Sequence, residues 1–155
     1  MTFSLSSPAF KHLGKIPLLY TCDGRNISPP LQIKGVPEGT QSLALIMEDP
    51  DVPKYLRSDG LWDHWTVWNI PPEAHHIKEN QIPKGIVEGK NTGGKIGYTG
   101  PCPPDREHRY FFKLFALDKA LDLPQGASKI SVLEAIKNHI LAETQLIGLY
   151  KRGST

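Results

Sequence analysis

Short apolar segments bounded by turn residues make up most of the hydrophobic pattern of this chain. Three of them predict strands: 42–47, which is apolar and ends before Asp49-Pro50; 64–70, which is β-branched and aromatic; and 109–117, which is rich in aromatic residues. Fourteen prolines and fourteen glycines would interrupt a mainly helical chain. The pattern therefore predicts a mostly β domain with these three strands in the core of a sheet.

One stretch near the C-terminal end has helical periodicity. Ser131 and Glu134 match a capping box, and Leu133, Ile136 and Ile140 follow at spacings of three and four. These features predict a helix over about residues 131–143.

The segment from residue 85 to residue 104 is rich in glycine and proline, which predicts a long irregular connection. Connections of that length in a compact domain often carry function.

The length and charge of the chain limit its class. A chain of 155 residues has the usual length of one compact domain, so we expect a single domain over residues 1–155. Its 18 basic and 16 acidic residues are spread evenly, which does not indicate a nucleic-acid partner. No apolar run approaches the ~20 residues that span a bilayer, and the first residues lack the features of a signal peptide. We therefore predict a cytoplasmic protein with no integral membrane segment.

The two cysteines, Cys22 and Cys102, lie far apart in the sequence. Disulfides are rare in cytosolic proteins, so we predict two free thiols. If the fold brings the two residues together, a redox-sensitive bridge near the binding site is the alternative.

Four polar motifs lie at predicted strand ends or in the loops beside them, where binding sites commonly collect. They are Asp49-Pro50-Asp51-Val52-Pro53, Trp62-Asp63-His64-Trp65, Gly100-Pro101-Cys102-Pro103-Pro104 and His108-Arg109-Tyr110. Taken singly, each motif has an ordinary structural explanation: Asp-Pro-Asp is often a turn, and a histidine between tryptophans is often a core residue. Two carboxylates at the end of a buried strand nevertheless need a partner, which a histidine or an arginine could supply.

Taken together, the four motifs resemble those of the phosphatidylethanolamine-binding family, also called the Raf kinase inhibitor family, in order and approximate spacing. The resemblance covers most of the chain and is greatest to the bacterial and archaeal branch. It includes Tyr20-Thr21-Cys22-Asp23-Gly24, Asn26-Ile27-Ser28-Pro29-Pro30-Leu31, Glu48-Asp49-Pro50-Asp51 and the run from His108 to Asp118. It implies an antiparallel two-sheet β fold with one or two peripheral helices and a small cavity for phosphate-like or carboxylate anions.

The resemblance also implies which residues bind the ligand. They are Asp49, Asp51, Pro53, His64, Cys102, Pro103, His108 and Tyr110. In this interpretation the aspartates orient and polarise, the histidines donate hydrogen bonds to the anion, and Tyr110 closes one side. A carboxylate beside a histidine favours the imidazolium ion, and an aspartate could itself bind as the protonated acid, so we expect tighter anion binding at acidic pH.

Two departures from the animal relatives concern access to the pocket. The segment Asp105-Arg106-Glu107 is short and charged, and the chain ends at Thr155 without the terminal helix that covers the pocket in those relatives. The absence of that helix predicts a more open pocket.

These features predict a non-catalytic binding protein, without cofactor or metal, for a small phosphorylated ligand (a phospholipid headgroup or a nucleotide) or a carboxylated one. The first alternative is an inhibitor of a protein kinase or protease that acts by docking. The second is a metal-dependent hydrolase in which Asp49, Asp51, His64 and His108 hold Zn²⁺, although the chain has no metal-ligand spacing such as H-E-x-x-H. An exposed strand edge or aromatic patch could also support a homodimer.

Overall fold

The computed structural model describes residues 1–153 and contains two β-sheets and one α-helix in that range. The strands are β1 (Ser4–Ser6), β2 (Gly14–Lys15), β3 (Leu31–Lys34), β4 (Ser42–Asp49), β5 (Trp62–Ile70), β6 (His76–Ile77), β7 (Val87–Glu88), β8 (His108–Leu117) and β9 (Ile140–Tyr150). A 3-10 turn covers Leu18–Tyr20, and helix α1 covers Lys129–Ile136. The described residues include no helix long and apolar enough to cross a membrane.

The strands form a three-stranded sheet in the order β1-β3-β6 and a six-stranded sheet in the order β2-β9-β8-β4-β5-β7. Every pairing is antiparallel except that of β2 with β9. The predicted class, a mostly β fold of two sheets with a peripheral helix, is confirmed, and the three predicted strands are β4, β5 and β8.

The central strand β4 is apolar from Leu43 to Met47 because both of its faces are covered there. Leu43, Leu45 and Met47 belong to the main hydrophobic core, to which both sheets contribute side chains, whereas Ala44 and Ile46 belong to a second core that includes residues of α1. Successive side chains of a strand point to opposite faces, so one continuous apolar segment serves both layers.

The neighbouring strand β5 contains a β-bulge that changes which of its side chains face the main core. Leu43 pairs with Ile70 and Leu45 with Val67, so β5 has one extra residue between them. Asn69 adopts a left-handed backbone conformation there (φ 58°), and its side chain bonds the backbone of Leu121 in both directions. The bulge returns Ile70 to the main core.

The predicted helix at residues 131–143 is wrong at both ends. The helix begins earlier, at Lys129, because the hydroxyl of Ser128 accepts a hydrogen bond from the Ser131 amide and caps it. It ends at Ile136, and Asn138 then takes a left-handed conformation (φ 68°) that turns the chain out of the helix. The capping box that begins at Ser131 therefore does not form the helix start.

The residues after this turn form strand β9, which the sequence pattern does not reveal. Ile140, counted above as the third member of a helical stripe, is the first residue of β9 and is 40% exposed. β9 pairs with β8 along its whole length and places Leu146 and Tyr150 in the main core.

Candidate functional site

Antiparallel pairing brings the four polar motifs to one edge of the large sheet. The last residues of β4 lie beside the first residues of its neighbours, since Asp49 pairs with Trp62 of β5 and Glu48 with Phe111 of β8. A cavity of about 340 Å³ lies at this edge, within the range of roughly 300–1,000 Å³ that is usual for small-molecule sites. Its lining residues are Asp49, Val52, Leu56, Trp62, His64, Thr99, Gly100, Cys102, Pro103, Pro104, His108 and Tyr110.

Most of the residues predicted to bind the ligand lie in the wall of this cavity. They are Asp49, His64, Cys102, Pro103, His108 and Tyr110. Asp51 and Pro53 are not in the wall, although Val52, which lies between them, is. Sequence reasoning missed the apolar contribution of Leu56 and the contact of Asp105 with His108. It considered an arginine as a partner of the aspartates but did not assign that role to Arg109.

His108 lies between two carboxylates. Its Nδ1 is 2.6 Å from an oxygen of Asp49, and its Nε2 is 2.7 Å from an oxygen of Asp105. Carboxylates only accept hydrogen bonds, so both ring nitrogens donate and the ring is an imidazolium ion. The side chains of His108 and Asp49 are 1% and 4% exposed, whereas that of Asp105 is 33% exposed.

Each carboxylate near His108 has further partners. Asp49 accepts a second hydrogen bond, from the amide of Asp51, on its other oxygen. Partial desolvation would raise the pKa of Asp105, but the hydrogen bond from His108 and those from neighbouring amides hold it below its ordinary value. Asp105 is therefore ionised at neutral pH.

Asp51 is bound by an arginine outside the cavity. Arg109 donates to both Asp51 oxygens from its guanidinium (2.9 and 2.8 Å) and to one of them from its backbone amide (2.8 Å). The hydrogen bonds from Arg109 hold the pKa of Asp51 below its ordinary value against the effect of partial burial. Asp51 therefore links the loop after β4 to the start of β8.

His64 differs from His108 in its charge. Its Nδ1 lies 2.6 Å from the carbonyl oxygen of Thr99, to which it must donate. Burial lowers the pKa of His64, assisted by the charge of His108 and opposed by the Thr99 hydrogen bond and the charge of Asp49. The ring is therefore neutral at pH 7, and its Nε2 is an acceptor. The expected imidazolium ion is present at His108 but not at His64.

Tyr110 has a buried hydroxyl without a hydrogen-bond partner among residues 1–153. Burial, with a smaller effect of the Asp49 charge, raises the pKa of this phenol, which is therefore protonated. Asp49 lies near enough to raise the pKa of Tyr110 by a hydrogen-bond interaction as well as by its charge, but its two oxygens already accept from His108 and the Asp51 amide, and neither is in full hydrogen-bond geometry with the phenol. An unsatisfied buried donor costs about 1–3 kcal/mol, which a ligand acceptor would recover.

The turn at residues 20–26 holds the cavity loop of residues 98–104 in place. Tyr98 donates to the Tyr20 carbonyl (2.6 Å), and Asn26 accepts from the Gly100 amide (2.7 Å). A Cβ at Gly100 would lie 2.2 Å from the Tyr20 carbonyl oxygen, so this close approach requires glycine.

A disulfide between Cys22 and Cys102 links the same two segments, so the prediction of two free thiols is wrong. The sequence separation of 80 conceals the proximity, because the antiparallel sheet and the turn at residues 20–26 bring the two cysteines together only in the fold. Disulfides persist mainly in oxidising compartments, so the cytoplasmic location stays a prediction.

The hydrogen bonds at the site decide which groups can hold a ligand. In residues 1–153 no group of three or more His, Cys, Asp or Glu side chains is arranged to hold a metal ion. The four residues considered above as zinc ligands have other partners instead. Asp51 binds Arg109, and both ring nitrogens of His108 are engaged in hydrogen bonds. In the turn of residues 100–104 the Gly100 amide is taken and the prolines have none, which leaves the Cys102 amide as a backbone donor.

Comparison with known proteins supports a single family. The family model described as "Phosphatidylethanolamine-binding protein" matches residues 6–151. A relative from Methanothermobacter thermautotrophicus, described as a UPF0098 protein, is 52% identical over 97% of this chain and 99% of its own.

Two solved structures are similar over nearly their whole length. A crystal structure of a phosphatidylethanolamine-binding protein homologue from Chlamydia trachomatis has a TM-score of 0.94 and 46% identity, and the match covers 97% of this chain and 98% of that one. The structure of YbcL from E. coli, described as a member of the mammalian PEBP family, has a TM-score of 0.88 and 31% identity, with coverage of 97% and 99%.

Proposed function

This chain belongs to the phosphatidylethanolamine-binding protein family, and from that premise we propose that its cavity binds small phosphorylated or carboxylated anions without transforming them. The observation that carries the proposal is the buried Tyr110 hydroxyl, a protonated donor without a partner among the described residues in the wall of the cavity. An anionic oxygen would accept its hydrogen bond and remove the cost of leaving it unsatisfied.

Because His64 is neutral in the free protein, the affinity for anions should depend on pH. His64 must gain a proton on Nε2 before it can donate to an anion, and the neighbouring charges of Asp49 and His108 act on that proton in opposite directions. A bound anion raises the pKa of His64 towards or above the ordinary value of 6.5. Binding therefore takes up a proton, and affinity rises as the pH falls.

Calorimetric titration with sulfate tests this mechanism, because sulfate keeps two negative charges at both pH 5.5 and pH 8. We expect wild-type protein to bind sulfate more tightly at pH 5.5, by up to about tenfold for each unit by which the pKa of His64 in the complex exceeds 5.5. Phosphate and phosphoethanolamine, titrated at one pH, compare the ligand classes. Adding a chelator should leave all affinities unchanged.

A matched pair of variants assigns the pH dependence to one ring. His64→Gln should bind sulfate with the same low affinity at both pH values, whereas His75→Gln, in an exposed loop, should behave like wild type. Absence of sulfate, phosphate and phosphoethanolamine binding at either pH would refute the anion site. A pH dependence that survives His64→Gln would refute the role of His64.

A docking role is the second candidate, favoured by exposed apolar side chains beside the cavity. Tyr55 is 80% exposed, and Leu56, which lines the cavity, is 54% exposed. Assays of protein kinases and serine proteases with added protein would test it. Inhibition that is lost in Tyr55→Ser would support docking at this rim, and no inhibition of any enzyme in the panel would count against it.

A further inference from the structure

Asp105 is bonded to the ring nitrogen of His108 that Asp49 leaves available. The Nδ1 of His108 is bonded to Asp49, which is buried and held in place by the Asp51 amide. The other nitrogen, Nε2, is bonded to Asp105, which is partly exposed and lies in an irregular loop before β8. Of the two carboxylates, Asp105 is the one that can leave.

We propose that Asp105 is a built-in competitor of the ligand: its carboxylate binds His108 where the ligand's anion binds, and the anion must displace it. This proposal rests on the proposed anion-binding function. It assigns to Asp105 a role as a specificity-determining residue, since a ligand binds only if it interacts with His108 more favourably than Asp105 does.

This requirement follows from the chemistry of the exchange. A simple monocarboxylate that replaces Asp105 gives His108 the same hydrogen bond that it already has, so that bond contributes no net free energy. The internal carboxylate also has the advantage of its tether, which corresponds to an effective concentration of about millimolar or higher. A phosphate monoester or sulfate carries more charge than a carboxylate and forms stronger charge-assisted hydrogen bonds. Of the two ligand classes proposed above, the site therefore favours phosphorylated anions and carboxylated ligands with more than one charge, and it excludes simple monocarboxylates at millimolar concentration.

The surroundings of Asp105 allow this movement. Only one of its other neighbours is a charged partner among the described residues, Arg106, whose Nε is 3.8 Å away and whose side chain is 61% exposed. An exposed pair at that distance is weak and well screened. Displaced from His108, the carboxylate can turn into solvent, where its charge is hydrated.

Calorimetry with sulfate and acetate tests the displacement. Asp105→Ala should bind sulfate about ten- to a hundredfold more tightly than wild type, the factor expected when a competing hydrogen bond to a charged group is removed. Acetate affinity should rise by the same factor and become measurable. Asp105→Asn, which keeps an uncharged acceptor, should fall between Asp105→Ala and wild type.

Glu107→Gln is the control for charge alone. Glu107 is exposed, lies two residues from Asp105 and is not bonded to His108, so its neutralisation removes one negative charge from the same loop. We expect wild-type affinities for both anions in this variant. Equal tightening by Glu107→Gln and Asp105→Ala would overturn the proposal, because it would show a general charge effect.

The ring nitrogens of His108 give a readout that needs no ligand. In proton–nitrogen correlation spectra of the ligand-free protein, Asp105→Ala should shift the Nε2 signal and leave the Nδ1 signal, which reports on Asp49, close to its wild-type position. An unchanged Nε2 signal, or wild-type sulfate affinity in Asp105→Ala, would overturn the displacement while leaving the anion site intact. No sulfate binding in any of these proteins would overturn the anion site as well.

Discussion

Removing His108 would isolate a buried negative charge. In His108→Ala, Asp49 keeps the hydrogen bond from the Asp51 amide but loses the cation bonded to it, while remaining almost inaccessible to solvent. Breaking a buried ion pair from one side costs about 3–5 kcal/mol, a large share of the ~5–15 kcal/mol that stabilises a typical domain. Asp49→Asn should cost less, about 1–3 kcal/mol, because His108 keeps Asp105 as a partner.

Urea denaturation of the single and double variants at pH 7 measures these costs. The double variant should be less destabilised than the sum of the singles by about 1.5–3 kcal/mol, because it contains no unpaired charge at this position. His139→Ala is the matched control, since His139 pairs with Asp118 at 2.8 Å but both side chains are more than a third exposed. That control should cost less than ~1 kcal/mol. Equal losses for His108→Ala and His139→Ala, or strict additivity in the cycle, would refute the reasoning.

Two further predictions concern stability. Replacing both Cys22 and Cys102 with serine should lower the free energy of unfolding by about 4 kcal/mol, from the loop-closure entropy for 80 residues; denaturation of wild type with and without a dithiol reductant should show the same loss, and equal midpoints would contradict it. Trp65→Ala should cost about 3–5 kcal/mol in the same assay, because the side chain is fully buried and its Nε1 donates to Glu88. Trp65→Phe, which loses the hydrogen bond but keeps most of the apolar contact, should cost less, and an equal loss would contradict the packing argument.

The part of the fold that could be predicted is the part in which local pattern and tertiary burial agree. Strand β4 is apolar at every core position because both faces are covered, so its sequence signal is strong. Strand β9 has no such signal, because its first half is partly exposed and buried residues alternate only from Leu146 onward. The spacing of Leu133, Ile136 and Ile140 imitates a helix, and the turn at Asn138 that separates Ile140 from α1 depends on one backbone conformation.

The position of the candidate site could be predicted better than its charge states. Motifs at strand ends must meet when the strands are antiparallel neighbours, so the cavity at the end of β4 follows from the sheet. The partner of each histidine does not follow, because His64 bonds a carbonyl from a glycine-rich loop and His108 bonds a carboxylate three residues before it. The i,i+3 spacing of Asp105 and His108 was visible, but only the turn between them shows that the side chains meet.

The two proposals describe one electrostatic problem. Next to the cavity, the carboxylates of Asp49, Asp51 and Asp105 face three cations, His108, Arg109 and the more exposed Arg106, so this set has a net charge of −3 + 3 = 0. An anion that enters this site meets cations that the carboxylates already occupy, so its binding is favoured when one negative charge is withdrawn or one positive charge is added. Displacing Asp105 into solvent withdraws a negative charge, and protonating His64 adds a positive one. Because the two changes involve different groups, loss of Asp105 should tighten binding at every pH without removing the dependence that His64 provides.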